Sequence, residues 1–344
     1  MIALGHRVPK LDPARPLIFT GIGTSLHAAR IAASWVELLT DGKLRAFARD
    51  AHDLAMSDAI QPEDQIVVIS HRGTKRHPNA VLAQAKEVGA FTVAISGEGV
   101  GAAQSQDALA TGKAEQNPAR LQPTPSADVL LTTIPQEKAS THTISYSAAL
   151  TVLAQLVAGY VGDAGVPLLS ALAEAPTAMR ATLEMPIADA VVDTLVAPAA
   201  TPGIISGTGL DATTADEVAL KIKEGTYLWF EGMHTEVTLH GTPAVFRPGM
   251  AAIVIEPEWA DAGRSADLLA FLDLLGARAL ICGTADDADL RFADCNPLIR
   301  PFVVQLPFHK LVAALSERVG SSPDTTHLDT EPWKSAFFDS GIAL

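Results

Sequence analysis

Cysteine is almost absent from this chain. Cys282 and Cys295 are the only two thiols in 344 residues. They can build neither a disulfide framework nor a four-ligand zinc site, which points to a reducing compartment, the cytoplasm. Aromatic residues are scarce at 5%, so the core must be made of Ala, Val, Leu and Ile. Long apolar runs are also lacking. The most apolar helical stretch, Ser147 to Val161, is interrupted by Gln155 and falls short of the roughly 20 residues needed to cross a bilayer. The opening MIALGHRVPKLDPARP has no apolar segment of the signal-peptide kind. Net positive charge is missing as well: the formal balance is −14, which disfavours nucleic acid and anionic membranes as partners. No metal or cofactor is expected.

What the chain does hold is 48% hydrophobic and 19% charged residues, the balance of a packed globular protein long enough for two domains. Short apolar runs alternate with helical patterns. Strands are expected at Leu17–Thr20, Ile66–Ser70, Phe91–Ile95 and Asp128–Thr133. Helices are expected at Thr24–Leu39, Asn79–Val88 and Ser140–Val161. A helical linker, Pro167 to Ala197, leads to a second series. There the expected strands are Gly203–Ser206, Ala252–Ile255, Ala277–Ile281 and Phe302–Gln305, and the expected helices Asp211–Trp229, Ala266–Leu275 and His309–Val319. Strands alternating with helices imply βαβ units and a parallel sheet. Between Gly97 and Pro125 the pattern lapses into small polar residues and Pro, read as a long surface insertion.

The two series open alike, with Gly23-Thr24-Ser25-Leu26 and Gly207-Thr208-Gly209-Leu210 at strand-to-helix turns. This weak internal repeat suggests two similar α/β halves, whose ligands would bind beyond the carboxyl ends of the strands.

Three loops in the first half suit an anion. Gly21 to Arg30, GIGTSLHAAR, puts hydroxyls at a helix N-terminus, where free N–H groups and the helix dipole attract negative charge. Thr24 and Ser25 would also serve as ordinary caps, and Leu26 breaks the dinucleotide fingerprint. In ISHRGTKRH an acidic protein gathers Arg72, Lys75 and Arg76 at a strand end. Arg72 offers paired donors to a phosphate, Lys75 a point charge, and Gly73 a sharp turn beside Ser70 and Thr74. Arg76 and His77 read as a solvated turn. The third loop begins at Gln136, where Ala139-Ser140-Thr141 is expected to cap a helix.

Farther on, Glu217, Lys221 and Glu224 recur at i, i+4 and i+7 on one helical face. By itself such a row is a surface salt-bridge ladder. Sixteen residues after Glu224 comes His240-Gly241. These loops, in this order with this ladder and histidine, resemble the SIS (sugar isomerase) family. The likeness is to the isomerase portion of glutamine–fructose-6-phosphate aminotransferase and to stand-alone phosphosugar isomerases and deaminases. It runs from Leu17 to about Asp324.

The resemblance implies an α/β fold of two tandem SIS subdomains, each a mainly parallel sheet flanked by helices in three layers. Residues 1–165 would carry the phosphate-binding loops, 166–320 the catalytic Glu and His, and 321–344 a tail over the active site. It implies a homodimer with a shared active site and a sugar phosphate or amino-sugar phosphate as ligand. Gly23, Thr24, Ser25, Ser70 and Ser140 match the family's binding positions. His71, Arg72 and Lys75 depart from its Ser-Gln-Ser-Gly-x-Thr loop, with Thr74 beside them, and His142 stands where the family has Lys. No part matches the glutaminase domain, so glutamine-dependent amination is not expected of this polypeptide.

Aldose–ketose isomerisation needs a group to carry a proton between C1 and C2 of the open sugar. By resemblance that group is Glu224, oriented by Lys221, while His240, reaching in from the neighbouring subunit, opens the ring. His234 and Glu236 have no family counterpart and read as structural. The family's tail lysine is missing from its usual place, leaving Lys334 as the candidate to replace it. The readings that follow are a phosphosugar isomerase, an amino-sugar-phosphate deaminase or deglycase, and a non-catalytic phosphosugar sensor.

Overall fold

The computed structural model describes residues 8–98 and 126–340, which cluster into two compact units. The first holds the chain up to Lys138 together with 143–169, and the second holds 139–142 and the chain from Ser170.

In the first unit five strands, β1 (Leu17–Gly21), β2 (Ala46–Asp50), β3 (Gln65–Ile69), β4 (Phe91–Glu98) and β5 (Val129–Pro135), form a sheet in the order β2-β1-β3-β4-β5. Every pairing is parallel. Every residue of β1 and β3 is buried, as strands covered on both faces require, hence their continuous apolar runs. On one face Ile18, Ile66 and Val68 pack with Leu54 of α2 (Ala51–Met56) and with Val81, Leu82 and Ala85 of α3 (Arg76–Val88). The helices α1 (Thr24–Leu39) and α4 (Ile144–Val161) pack together, with Trp35 of α1 fully buried.

In the second unit, after α5 (Val166–Glu184) and α6 (Asp189–Val196), come β6 (Gly203–Gly207), β7 (Phe230–His234), β8 (Ala251–Ile255), β9 (Arg278–Gly283) and β10 (Leu290–Arg291). Their order, β10-β9-β8-β6-β7, is the first sheet's topology again. The helices are α7 (Leu210–Thr226), α8 (Thr235–Leu239), α9 (Arg264–Leu275), α10 (Arg300–Val303), α11 (Gln305–Val319) and α12 (Trp333–Asp339). The sequence repeat is a repeated turn. Gly23 sits at φ 55°, ψ −126° before α1, and Gly209 at φ 55°, ψ −127° before α7. Two residues earlier, a Cβ on Gly21 would lie 2.6 Å from Ser25 Cβ, and one on Gly207 2.5 Å from the Asp211 carbonyl oxygen. Only glycine lets strand and helix approach so closely.

Several elements differ from expectation. Strands β2, β7 and β10 and helices α2, α8 and α12 were not anticipated. Phe302–Gln305 is helical, spanning α10 and α11, and wholly buried; a short buried apolar run has no period that separates strand from helix. Helix α4 begins at Ile144, not Ser140. Of the expected insertion, Gly97 and Glu98 end β4, and 99–125 lie outside the described residues. Two helical runs, Ile144–Glu184 and Pro297–Val319, are long and apolar enough to span a membrane by length and composition, a longer extent than expected, yet 72% of each apolar window is buried in the protein. Both cysteines are free thiols.

Candidate active site

Two of the sequence-selected loops leave the carboxyl ends of the paired strands β1 and β3. Gly23 is the N-cap of α1, and Thr24 and Ser25 occupy its first turn. Ser70 follows β3, with its N–H bound to the Ile95 carbonyl and its own carbonyl accepting from Gly73. Its hydroxyl is buried and has no hydrogen-bond partner among the described residues. A buried hydroxyl left so costs stability. Gly73 turns the chain at φ +64°, and Asn79 Nδ2 holds its carbonyl at 3.1 Å. Ser70, Gly73, Asn79 and Ser96 line a cavity of about 180 Å³.

The cations of the loop divide in role. Arg72 is half-buried and makes no ion pair among the described residues. Lys75 is the N-cap of α3 and Thr74 is exposed. The His71 ring is engaged in structure: Nε2 accepts the Glu137 N–H at 3.1 Å, and Gln136 Nε2 donates to the His71 carbonyl at 3.0 Å. Arg76 is exposed as expected, whereas His77 is half-buried, its ring edge-on to His52 at 4.6 Å. Burial, then His52, holds the His77 pKa below its usual value.

The third loop does not cap its helix as expected. The Glu137 carboxylate does so, accepting the N–H groups of Thr143, Ile144 and Ser145 at 3.0–3.3 Å. Thus the N-terminus of α4 already carries an anion from this chain. Ser140 and Thr141 belong to the second unit, where their N–H groups donate to the Asp324 and Pro323 carbonyls of the tail segment.

In the second unit the Glu–Lys–Glu row is not a surface ladder. Lys221 is 1% exposed and Glu217 0%, whereas Glu224 is 31% exposed. Lys221 Nζ lies 3.4 Å from Glu217 Oε1 and 2.9 Å from Glu224 Oε2. Burial alone would lower the ammonium pKa; the two carboxylates outweigh it and raise it. Helix α7 therefore holds a charged lysine in its core face, aimed at a carboxylate at the protein surface. Past Glu224, the Tyr227 ring stacks on His327 at 3.5 Å, and His327 on Trp333 at 4.0 Å. Lys334, next in the chain, is exposed.

His240 caps the end of α8 and is bonded within its own chain to Glu236, Nε2 to Oε2, at 2.9 Å. Sequence reasoning missed that contact. It also missed the role of Glu137, whose only sequence signal is an acidic residue shortly before a helix start. Elsewhere in the unit, Asp211 in the first turn of α7 is 2% exposed and pairs with Arg300 Nε at 2.7 Å. Arg300 also binds Glu258 Oε2 at 2.8 Å and the Glu256 carbonyl at 2.6 Å. Burial pushes the Asp211 carboxyl up to about 6 despite the guanidinium. Among the described residues Asp50, His52 and Asp53 bring possible metal-ligand atoms within 4.8 Å of one another. That cluster has a structural use, since Asp50 accepts the His52 N–H as the cap of α2.

Fold and site together define an α/β protein of two all-parallel, five-stranded units with hydroxyl- and glycine-bearing turns at the strand ends. Residues 10–129 match the family model described as the SIS domain. Over these residues the chain is thus similar to a SIS domain. It is 24% identical over 326 residues to a glutamine–fructose-6-phosphate aminotransferase (isomerizing) of Thermococcus kodakarensis, covering 90% of this chain and 50% of that protein. It thus spans about half the length of the curated relatives it matches. Among solved structures, the C-terminal domain of the Francisella tularensis glucosamine-fructose-6-phosphate aminotransferase matches with a TM-score of 0.70 at 17% identity. That match covers 90% of this chain and 86% of the other. A glucosamine-6-phosphate deaminase of Thermotoga maritima matches at 0.69 and 18%, covering 93% and 89%.

Proposed function

We propose that the chain is a phosphosugar isomerase, interconverting an aldose and a ketose phosphate, amino-sugar phosphates included, as a cytoplasmic homodimer. One observation carries the reading: a buried lysine whose ammonium is bonded to two carboxylates, only one of which, Glu224, reaches the surface. In this reading Glu224 takes the proton from one of C1 and C2 and returns it to the other. Lys221 fixes the direction of its lone pairs. His240 of one protomer moves the proton that opens the sugar ring in its partner's site.

For a phosphate dianion, the first unit offers the unpartnered Ser70 hydroxyl and the Arg72 guanidinium as donors. Gly23, Thr24 and Ser25 add the N-terminus of α1. Thr74, Lys75 and, in the second unit, Ser140 are the further candidates for phosphate contacts, and His71 supports its loop through Glu137. The isomerizing activity in the name of the Thermococcus relative agrees with this chemistry. The test is Glu224→Gln assayed on hexose and amino-hexose phosphates. Turnover should fall by about 10²–10⁴-fold, the usual contribution of general acid–base catalysis, with sugar-phosphate binding kept; unchanged turnover defeats the assignment.

A deaminase or deglycase reading has its own support in the tail. The stack of Tyr227, His327 and Trp333 ties the segment bearing Lys334 to the end of α7, three residues past Glu224. A tail amine at such a site would suit chemistry on a C–N bond. Ammonia release from amino-sugar phosphates, abolished by Lys334→Met, would favour this second reading. Binding of sugar phosphates without turnover of any would favour a sensor.

A further inference from the structure

We propose that Glu236, clamped by Arg264, is the positioning residue of His240. The role assigned to Glu236 rests on the ring-opening function proposed for His240.

Helix α8 is a single short turn, entered where His234 Nδ1 accepts the Glu236 N–H at 3.2 Å and left at His240. The i, i+4 spacing puts Glu236 and His240 on one side of that turn. The Glu236 carboxylate receives three donors. Arg264 Nε meets Oε1 at 2.7 Å, Arg264 Nη2 meets Oε2 at 3.2 Å, and His240 Nε2 meets Oε2 at 2.9 Å. The guanidinium is itself held by Asp267 at 2.6 Å, from the first turn of α9. A two-pronged Arg–carboxylate pair fixes the plane of the carboxylate as well as its position. Hydrogen bonding to Arg264 holds the Glu236 pKa below its usual value, so the group stays an anion.

An anionic acceptor at Nε2 keeps the proton of the neutral ring on that nitrogen and leaves the Nδ1 lone pair for a reacting group. It also stops rotation of a ring whose side chain is 74% exposed. Glu236 is itself 45% exposed, and ion pairs at such positions add little to folding stability. The three-part arrangement is therefore poorly explained as a fold-stabilising device and well explained as an orienting one.

The experiment compares a ring-closed ketohexose 6-phosphate with its 5-deoxy analogue, which lacks the hydroxyl needed to close a furanose ring. Glu236→Ala should lower kcat on the ring-closed substrate by about tenfold or more, within the range of general acid–base catalysis, with KM unchanged. The 5-deoxy substrate should turn over at the wild-type rate. The double variant Glu236→Ala/His240→Ala should be no slower than His240→Ala alone. Wild-type kcat in Glu236→Ala, or losses that multiply in the double variant, overturn the proposal. A wild type that turns over neither substrate defeats the isomerase reading instead. The pairing is then read from ¹⁵N-histidine spectra. An exchange-protected His240 Nε2 proton that disappears in Glu236→Ala upholds Glu236 as the orienting group, and its absence in the wild type overturns it.

Discussion

Lys221 Nζ lies between two carboxylates on successive turns of α7, 3.4 Å from Glu217 Oε1 and 2.9 Å from Glu224 Oε2. The lysine belongs to the core, and only its partner Glu224 reaches the surface.

That placement predicts an unequal cost of substitution. Lys221→Met leaves Glu217, fully buried, without its counter-charge, which should destabilise the second unit by about 3–5 kcal/mol. Adding Glu217→Gln should restore part of the loss, because a neutral amide carries less desolvation cost. Urea denaturation measures both. A single variant within about 1 kcal/mol of wild type would mean that Glu217 is protonated in the fold, with no charge to leave unpaired.

Arg72 carries no ion pair among the described residues, and its guanidinium is assigned to the phosphate. Arg72→Ala should weaken sugar phosphates by about tenfold or more, the scale of a lost charge-assisted hydrogen bond. Unphosphorylated sugars should bind as before. Calorimetric titration of matched pairs reads the difference, and equal weakening of both would remove the loop from the site.

Asp211 predicts a pH signature. Its carboxyl is pushed up by burial from the unfolded 3.8 to about 6, so the folded chain holds that proton more tightly than the unfolded one. The stability it contributes is fully present below about pH 4 and lost as pH rises through about 6. Wild type should therefore lose about 3 kcal/mol relative to Asp211→Asn over this interval. Denaturation curves of both proteins at pH 4, 5, 6 and 7 provide the check. A difference independent of pH would show that Arg300 holds the carboxylate ionised throughout.

Much of the fold could be read from the sequence because β1, β3 and β8 are covered on both faces and so run apolar without a break. The Gly-x-Gly turns were equally legible, since a positive φ and a close approach leave glycine alone. Strand β2, AFARD, escaped because it is an edge strand with half-exposed, partly charged residues. Strand β7, FEGMH, also lies at an edge, and its Gly232 admits Asp216 so closely that a Cβ would sit 2.4 Å from the Asp216 Cα. That glycine is a packing requirement.

The candidate site was legible as residue types and spacings, and not as partners. A Glu–Lys–Glu row has the same spacing on a solvated face as on a buried one, and only tertiary contacts reveal Lys221 as core. The Glu137 cap and the Glu236–His240 contact involve ordinary acidic residues in an acidic chain. Nothing in composition distinguishes them from solvated charge.

The twin turns carry a further consequence. At the fourth position after the leading glycine one half has Ser25 and the other Asp211, the latter already neutralised by Arg300 from within the same unit. The same glycine-led corner therefore presents a hydroxyl in one half and a buried carboxylate, tied down by an arginine, in the other.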